Sequence, residues 1–114
     1  IIDRFTDSTI AYQHYGMGID LSIIEKLNKF LLKDFKPDFT FLNIVDFKIM
    51  KKRLMQRKKL NRYDKFDNFF YKKVQNGFLK LASRNKKNYK IINSNLDIDF
   101  NKNVVIDKIQ KLIK

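Results

Sequence analysis

Cysteine is absent from these 114 residues, which excludes a disulfide framework, a thiolate metal site and a cysteine nucleophile. Long apolar runs are missing too. None approaches the roughly 20 residues that a membrane span needs, and the first residues lack the basic, apolar and small-residue sections of a signal peptide. The sequence therefore reads as soluble and cytoplasmic. Acidic residues are scarce, 12 Asp and Glu against 25 Lys and Arg, for a net charge of +13. Such an excess points at first to polyanions. Twenty of the basic residues are lysines, however, and Lys, Asn, Ile and Phe are all abundant, a bias that an AT-rich coding sequence produces without any partner. The arginines are more telling, because lysine cannot replace a planar fork that grips phosphate through two parallel bonds. They are Arg4, Arg53, Arg57, Arg62 and Arg84.

What is present suits one folded domain: 44% of residues are hydrophobic, enough for a core, and there is no internal repeat or domain boundary. Ile1 and Ile2 read as the end of a buried strand. Phe5 to Tyr15 is predicted helical, with Phe5, Thr9, Tyr12 and Gln13 on one face and Gly16 and Gly18 ending it. Ser22 and Glu25 have capping-box spacing before the stripe Ile23, Ile24, Leu27, Phe30 and Leu31, a helix closed near Pro37. Asp38 to Val45 is β-branched, aromatic and nearly apolar, as expected of a strand covered on both faces. Asp46 can cap a helix from Phe47 to about Lys59, on which Arg53 and Arg57, four apart, project together and Met50 and Leu54 share another side. Lys58 to Tyr63 lacks an apolar period and reads as a mobile basic segment. Phe66, Phe70, Val74, Phe78 and Leu81 predict a long helix over Asp64 to Ser83. Tyr89 to Asn93 is a further strand, Ser94 to Asn103 a loop, and Val104, Val105, Ile109 and Leu112 mark a last helix. Strands separated by helices predict an α/β fold, with ligands at the carboxyl ends of parallel strands. Asp3-Arg4, Asp46 and Asn93-Ser94 fall at such ends.

The stretch "DRFTDSTIAYQ", Asp3 to Gln13, resembles the Asp-Arg-aromatic-x-x-Ser-x-x-Ala-Tyr-Gln signature of thymidylate kinases. "KPDFTFLNIVD" is similar to the family's Arg-Pro-Asp-x-Thr strand, "RLMQRKKLNRYDKF" to its lid, and "FFYKKVQNGFLKLA" to the helix ending in Gly-Tyr-Leu-x-Leu-Ala. Ordered blocks at family spacing are far more specific than any one of them; the last 20 residues match loosely. The resemblance implies a P-loop NTPase fold of the nucleoside monophosphate kinase type, here a partial parallel sheet flanked by helices. It implies transfer of the ATP γ-phosphoryl group to dTMP, in dTTP supply, with magnesium accompanying ATP.

In that family Arg4 would grip the acceptor's phosphate, and Asp3 would stand near the magnesium, through water. The alternative for Arg4 is a structural ion pair with Asp3 or Asp7, and Asp3 could be a helix N-cap. The resemblance gives Thr9, Tyr12 and Gln13 the reading of thymine and deoxyribose, with Tyr12 crowding out a 2′-hydroxyl; a lone Tyr on a helix is otherwise core. Ser8 is as suited to bonding backbone as ligand, and His14 reads as surface. A lid over about residues 53–64 would stack Arg53 on adenine, reach the transferring phosphates with Arg57 and add a contact from Arg62. Arg4 and Arg57 are thus the catalytic candidates. The alternative for the lid is a solvated basic helix face. Lys58 stands where the family usually has glycine, and Asn61 where it has aspartate before Arg62.

One family feature is missing. No G-x-x-x-x-G-K-[ST] phosphate-cradling loop occurs, so residues 1–114 read as the C-terminal part of a single thymidylate kinase domain, entered in its third strand. That strand would be separated from the one over Asp38 to Val45 by the absent P-loop strand. The expected partners are ATP and dTMP, with no nucleic acid and no membrane, and the complete enzyme is expected to be a homodimer. The rivals are another monophosphate kinase and a basic nucleic-acid-binding protein, the latter resting on net charge alone.

Overall fold

The computed structural model describes residues 1–61 and 67–114; Arg62 of the expected lid, and Asp64 and Phe66 at the start of the expected long helix, lie outside the described residues. In chain order the elements are α1 (Thr6–Thr9), a π-helix (Ile10–Gly16), α2 (Leu21–Leu32), β1 (Thr40–Ile44), α3 (Phe47–Met55), α4 (Asn68–Arg84), a 3-10 turn (Lys86–Asn88), β2 (Tyr89–Asn93) and α5 (Ile98–Leu112).

The strands form where aromatic and β-branched residues gather, and they pair in parallel, Thr40 with Tyr89 through Ile44 with Asn93. This is the α/β organisation that the alternation of elements predicts, since parallel neighbours need a long crossover. Because Leu42 pairs with Ile91 and Asn43 with Ile92, the buried Leu42 and Ile92 point to opposite faces. Cover is partial on both faces. Phe41 and Ile44 are half-buried and Asn43 is exposed, so the expectation of a fully covered strand holds only in part. Ile1 and Ile2 are exposed and belong to no strand, against the expectation of a buried strand end: no neighbour supplies a ladder for them.

Helix boundaries follow their caps. The Asp20 carboxylate accepts from the Ser22 backbone N–H at 2.8 Å, so Asp20, not Ser22, starts α2. The Ser22 bonds also hold the Asp20 carboxyl below its ordinary range. At its other end α2 stops at Leu32, well before Pro37, with Lys33 in the left-handed region (φ 53°). Asp67 caps α4 by accepting from Phe70 N–H at 2.8 Å. Asp97 accepts from the N–H groups of Asp99 and Phe100 and opens α5 at Ile98, where a loop was expected. The apolar spacing misses this turn because Ile98 and Phe100 face solvent. Asp46 precedes α3 but its side chain makes no capping bond. This helix ends at Met55, short of Lys59, since Gln56 to Lys59 offers no apolar residue for a packed face to bury.

The core lies where the π-helix meets α4. Ala11, Phe70 and Val74 are buried together, with Tyr12 and Phe78 packed against them. Two glycines set the approach. A Cβ on Gly16 would lie 2.7 Å from Phe70 Cε2, and one on Gly77 would lie 2.6 Å from Tyr15 Cδ2 and 2.8 Å from Tyr15 Cβ. The radius of gyration is 15.4 Å, above the about 13 Å expected of a compact domain of this length.

A side-chain bond ties α1 to the sheet: the Tyr89 hydroxyl donates to the Asp7 carboxylate. Burial, and then Asp7, push the Tyr89 phenol above its ordinary value.

Gly77→Ala should destabilise the fold. Ala gains about 1 kcal/mol of helix propensity over Gly, but overpacking against the ring base of Tyr15 costs about 1–3 kcal/mol. A lower urea midpoint is the expected result, and an unchanged or higher one would show that Tyr15 yields freely. Tyr89→Phe should cost about 1–2 kcal/mol at neutral pH by leaving Asp7 without its donor. The sign with pH follows from the raised phenol. Its contribution is complete below the ordinary value of 10.0 and fades as pH rises beyond it, so the gap between wild type and Tyr89→Phe should narrow above pH 10. A gap constant from neutral to strongly alkaline pH would exclude the bond.

Candidate functional site

The segment from Arg4 to Gln13 folds back on one small cavity. Its volume is about 200 Å³, and Arg4, Ser8, Thr9, Tyr12 and Gln13 line it. Thr9, Tyr12 and Gln13 were expected on one face, and they do meet, although the helix is α only for its first turn. It then widens into π, with Met17 N–H bonding Tyr12 O at 3.0 Å, five residues back. The wider turn also delivers Tyr15 and Gly16 to α4.

Arg4 has φ 63°, a left-handed backbone uncommon for a residue with a side chain. Its guanidinium carbon lies 5.6 Å from the centre of the Tyr12 ring. Of the two alternative partners, Asp7 is engaged by Tyr89. The first turn follows Phe5 at the N-cap position, so Asp3 is not its cap. Tyr12 is wedged between the cavity and the core, its ring 6.0 Å from Phe70 and 6.3 Å from Phe78. It is both a core and a cavity residue. Ser8 lines the cavity as well, an outcome its spacing left open. His14, expected at the surface, is half-buried and donates from Nδ1 to the Ile19 carbonyl at 2.7 Å, which fixes its tautomer.

The carboxyl ends of the strands are closed by a polar turn. Ser94 N–H bonds Ile44 O at 2.7 Å, and Asp46 N–H bonds Asn95 Oδ1 at 2.9 Å. Arg53 Nη2 donates to Ser94 O at 2.8 Å, which brings the guanidinium to this turn. The sequence reading missed Asn95; an Asn-Ser-Asn run directly after a strand is the signal that would have found it. Arg57 does not share a helical face with Arg53, because α3 ends at Met55 and Arg57 N–H bonds Leu54 O in a tightened turn. Neither lid arginine lines the Arg4 cavity, and Arg62 lies outside the described residues.

For magnesium, the donor chemistry is limited to exposed carboxylates. Asp3 is one such oxygen donor beside Arg4, and no group of three ligating side chains occurs among the described residues. No described helix is long and apolar enough to cross a membrane.

The thymidylate kinase family model matches residues 1–105. A thymidylate kinase of Sulfurihydrogenibium sp. is 38% identical over 109 residues, 96% of this chain and 52% of the relative. One from Wolbachia pipientis subsp. Culex pipiens is 40% identical over 113 residues, 97% of this chain and 53% of the relative. The crystal structure of thymidylate kinase from Ehrlichia chaffeensis superimposes with a TM-score of 0.66 at 37% identity, covering 95% of this chain and 47% of that one. This chain thus has part of the parallel sheet of a P-loop monophosphate kinase fold and spans about half the length of the curated relatives it matches. With the family's signature residues gathered on one cavity and nearly the whole sequence matched, the chain belongs to the thymidylate kinase family.

Proposed function

We propose that this chain supplies the acceptor side and lid of a dTMP kinase, a cytoplasmic enzyme that moves the γ-phosphoryl group of ATP to dTMP and yields dTDP for dTTP synthesis. The observation that carries the reading is the cavity lined by Arg4, Ser8, Thr9, Tyr12 and Gln13. It joins a guanidinium, hydroxyls, an amide and an aromatic wall. A nucleoside monophosphate presents the matching set: phosphate, sugar and a base edge with donors and acceptors.

In the proposed reaction an oxygen of the dTMP phosphate attacks the γ-phosphorus in line, and the bond to the β–γ bridging oxygen breaks, leaving ADP. Little covalent chemistry falls to the protein, so positioning and charge neutralisation dominate. Arg4 holds the acceptor phosphate by its fork. Tyr12, backed by Phe70 and Phe78, is too firmly packed to yield to a 2′-hydroxyl, while Thr9 and Gln13 address the base. Arg53, kept at the strand ends by Ser94 O, offers a planar face for adenine, and Arg57 and Arg62 take the transferring phosphates. Asp3 would hold magnesium through water, and the ion would neutralise phosphate charge when bound. The complete enzyme is a homodimer in this reading, and the apolar row Ile23, Leu27, Phe30 and Leu31 on α2, exposed from 54 to 81%, is a surface for the rest of the enzyme or a second copy to cover. The reaction itself involves no nucleic acid or membrane.

Since no G-x-x-x-x-G-K-[ST] loop occurs in the sequence, these 114 residues alone should show no ATP-to-dTMP transfer. In the enzyme complete with that loop, Arg4→Lys should lower kcat roughly a hundredfold, the usual cost of one lost transition-state donor. Steady-state kinetics would assign Arg4 a structural role if the change were under threefold. Tyr12→Ala should raise kcat/KM for the ribonucleotide relative to dTMP. An unchanged ratio would remove Tyr12 from sugar selection.

A further inference from the structure

A second cavity, of about 360 Å³, opens beside the starts of both strands and shares no lining residue with the first. Lys86, Lys87 and Lys90 reach it from the 3-10 turn and β2, and Lys108 and Lys111 from α5. One carboxylate, Asp107, shares the lining. Five ammonium groups against one carboxylate leave four positive charges uncompensated. Among the described residues, Lys86, Lys87, Lys90 and Lys111 have no carboxylate partner. Lys108 instead places its Nζ 4.6 Å from the centre of the Phe39 ring.

Lysines scattered over a surface repel one another little. These come from two stretches distant in sequence, residues 86–90 and 108–111, and converge on one concavity, where their mutual repulsion is relieved by a multivalent anion. A nucleoside triphosphate carries about four negative charges when ionised, matching the local excess. The volume sits at the small end of the range for ligand pockets, about 300–1,000 Å³, which suits one mononucleotide. Phe39 and Tyr89 supply half-buried rings, and with the Tyr89 hydroxyl committed to Asp7 only its ring remains for a ligand.

We propose that this groove is a second phosphate site, separate from the acceptor cavity and the lid, which takes the triphosphate group of a nucleoside triphosphate. The test is calorimetric titration of the full chain, at fixed ionic strength, with inorganic tripolyphosphate and with ATP. Both should bind, and the combined Lys86→Gln, Lys90→Gln and Lys111→Gln variant should bind each about tenfold more weakly. The matched control Lys26→Gln, Lys29→Gln and Lys36→Gln removes three exposed lysines elsewhere and should change affinity less than about twofold. Equal affinity for the two ligands would uphold a site for the triphosphate group alone, and tighter ATP binding would uphold it with the rings contributing. Equal losses in both triple variants would overturn the site in favour of diffuse charge. Loss on Arg53→Gln with the groove variant unaffected would overturn it in favour of the lid. A mixed-sequence oligonucleotide whose affinity rises with length and depends on the groove lysines would overturn it in favour of a nucleic-acid track.

Discussion

The close approach of the π-helix to α4 is the contact on which the acceptor cavity depends. Gly16 admits Phe70 and Val74, and Gly77 admits Tyr15, at distances where a Cβ could not stand. That approach buries Ala11 and seats Tyr12 against Phe70 and Phe78. A ring held on its apolar side by two others is fixed on its remaining side, so one contact sets both the core packing and the cavity wall. The π turn belongs to this arrangement: it sends Tyr15 and Gly16 into α4 while Thr9, Tyr12 and Gln13 stay on the cavity.

At the sheet, a different kind of bond dominates. Parallel strands of five residues each have little ladder to hold them, and their carboxyl ends are fastened by polar links from Ser94, Asn95 and Arg53. Asn101 adds a bond to Asn93 O at 2.8 Å, joining α5 to the same turn. The Arg53 guanidinium is thereby held at the carboxyl ends of the strands. The amino ends are fastened by Tyr89 and Asp7, a single bond between the sheet and the helix that carries the signature residues.

The apolar residues are unevenly used. Ile24 is buried, yet Ile23, Leu27, Phe30 and Leu31 on the same helix are exposed, as are Ile98 and Ile113 around α5. A radius of gyration of 15.4 Å and this open apolar surface belong together, since area left in water contributes no burial energy. Both accord with a chain that spans about half the length of its relatives.

The sequence by itself determined the signature cluster, both strands and the long helix α4, because each is a local pattern: spacing of three and four in Thr9, Tyr12 and Gln13, β-branched and aromatic runs in Thr40–Ile44 and Tyr89–Asn93, and a repeating apolar face from Phe70 to Leu81. It also carried the family, through motif blocks that recur in order at fixed intervals. Tertiary structure decided what local spacing does not encode. It made Asp20 and Asp97 the caps, ended α3 before Arg57, left Ile1 and Ile2 outside the sheet, and turned an expected α-helix into a π-helix. It alone brought lysines 86, 87, 90, 108 and 111 around one groove, because residues some twenty apart in sequence meet only once the fold has placed the start of β2 and the end of α5 at the same concavity.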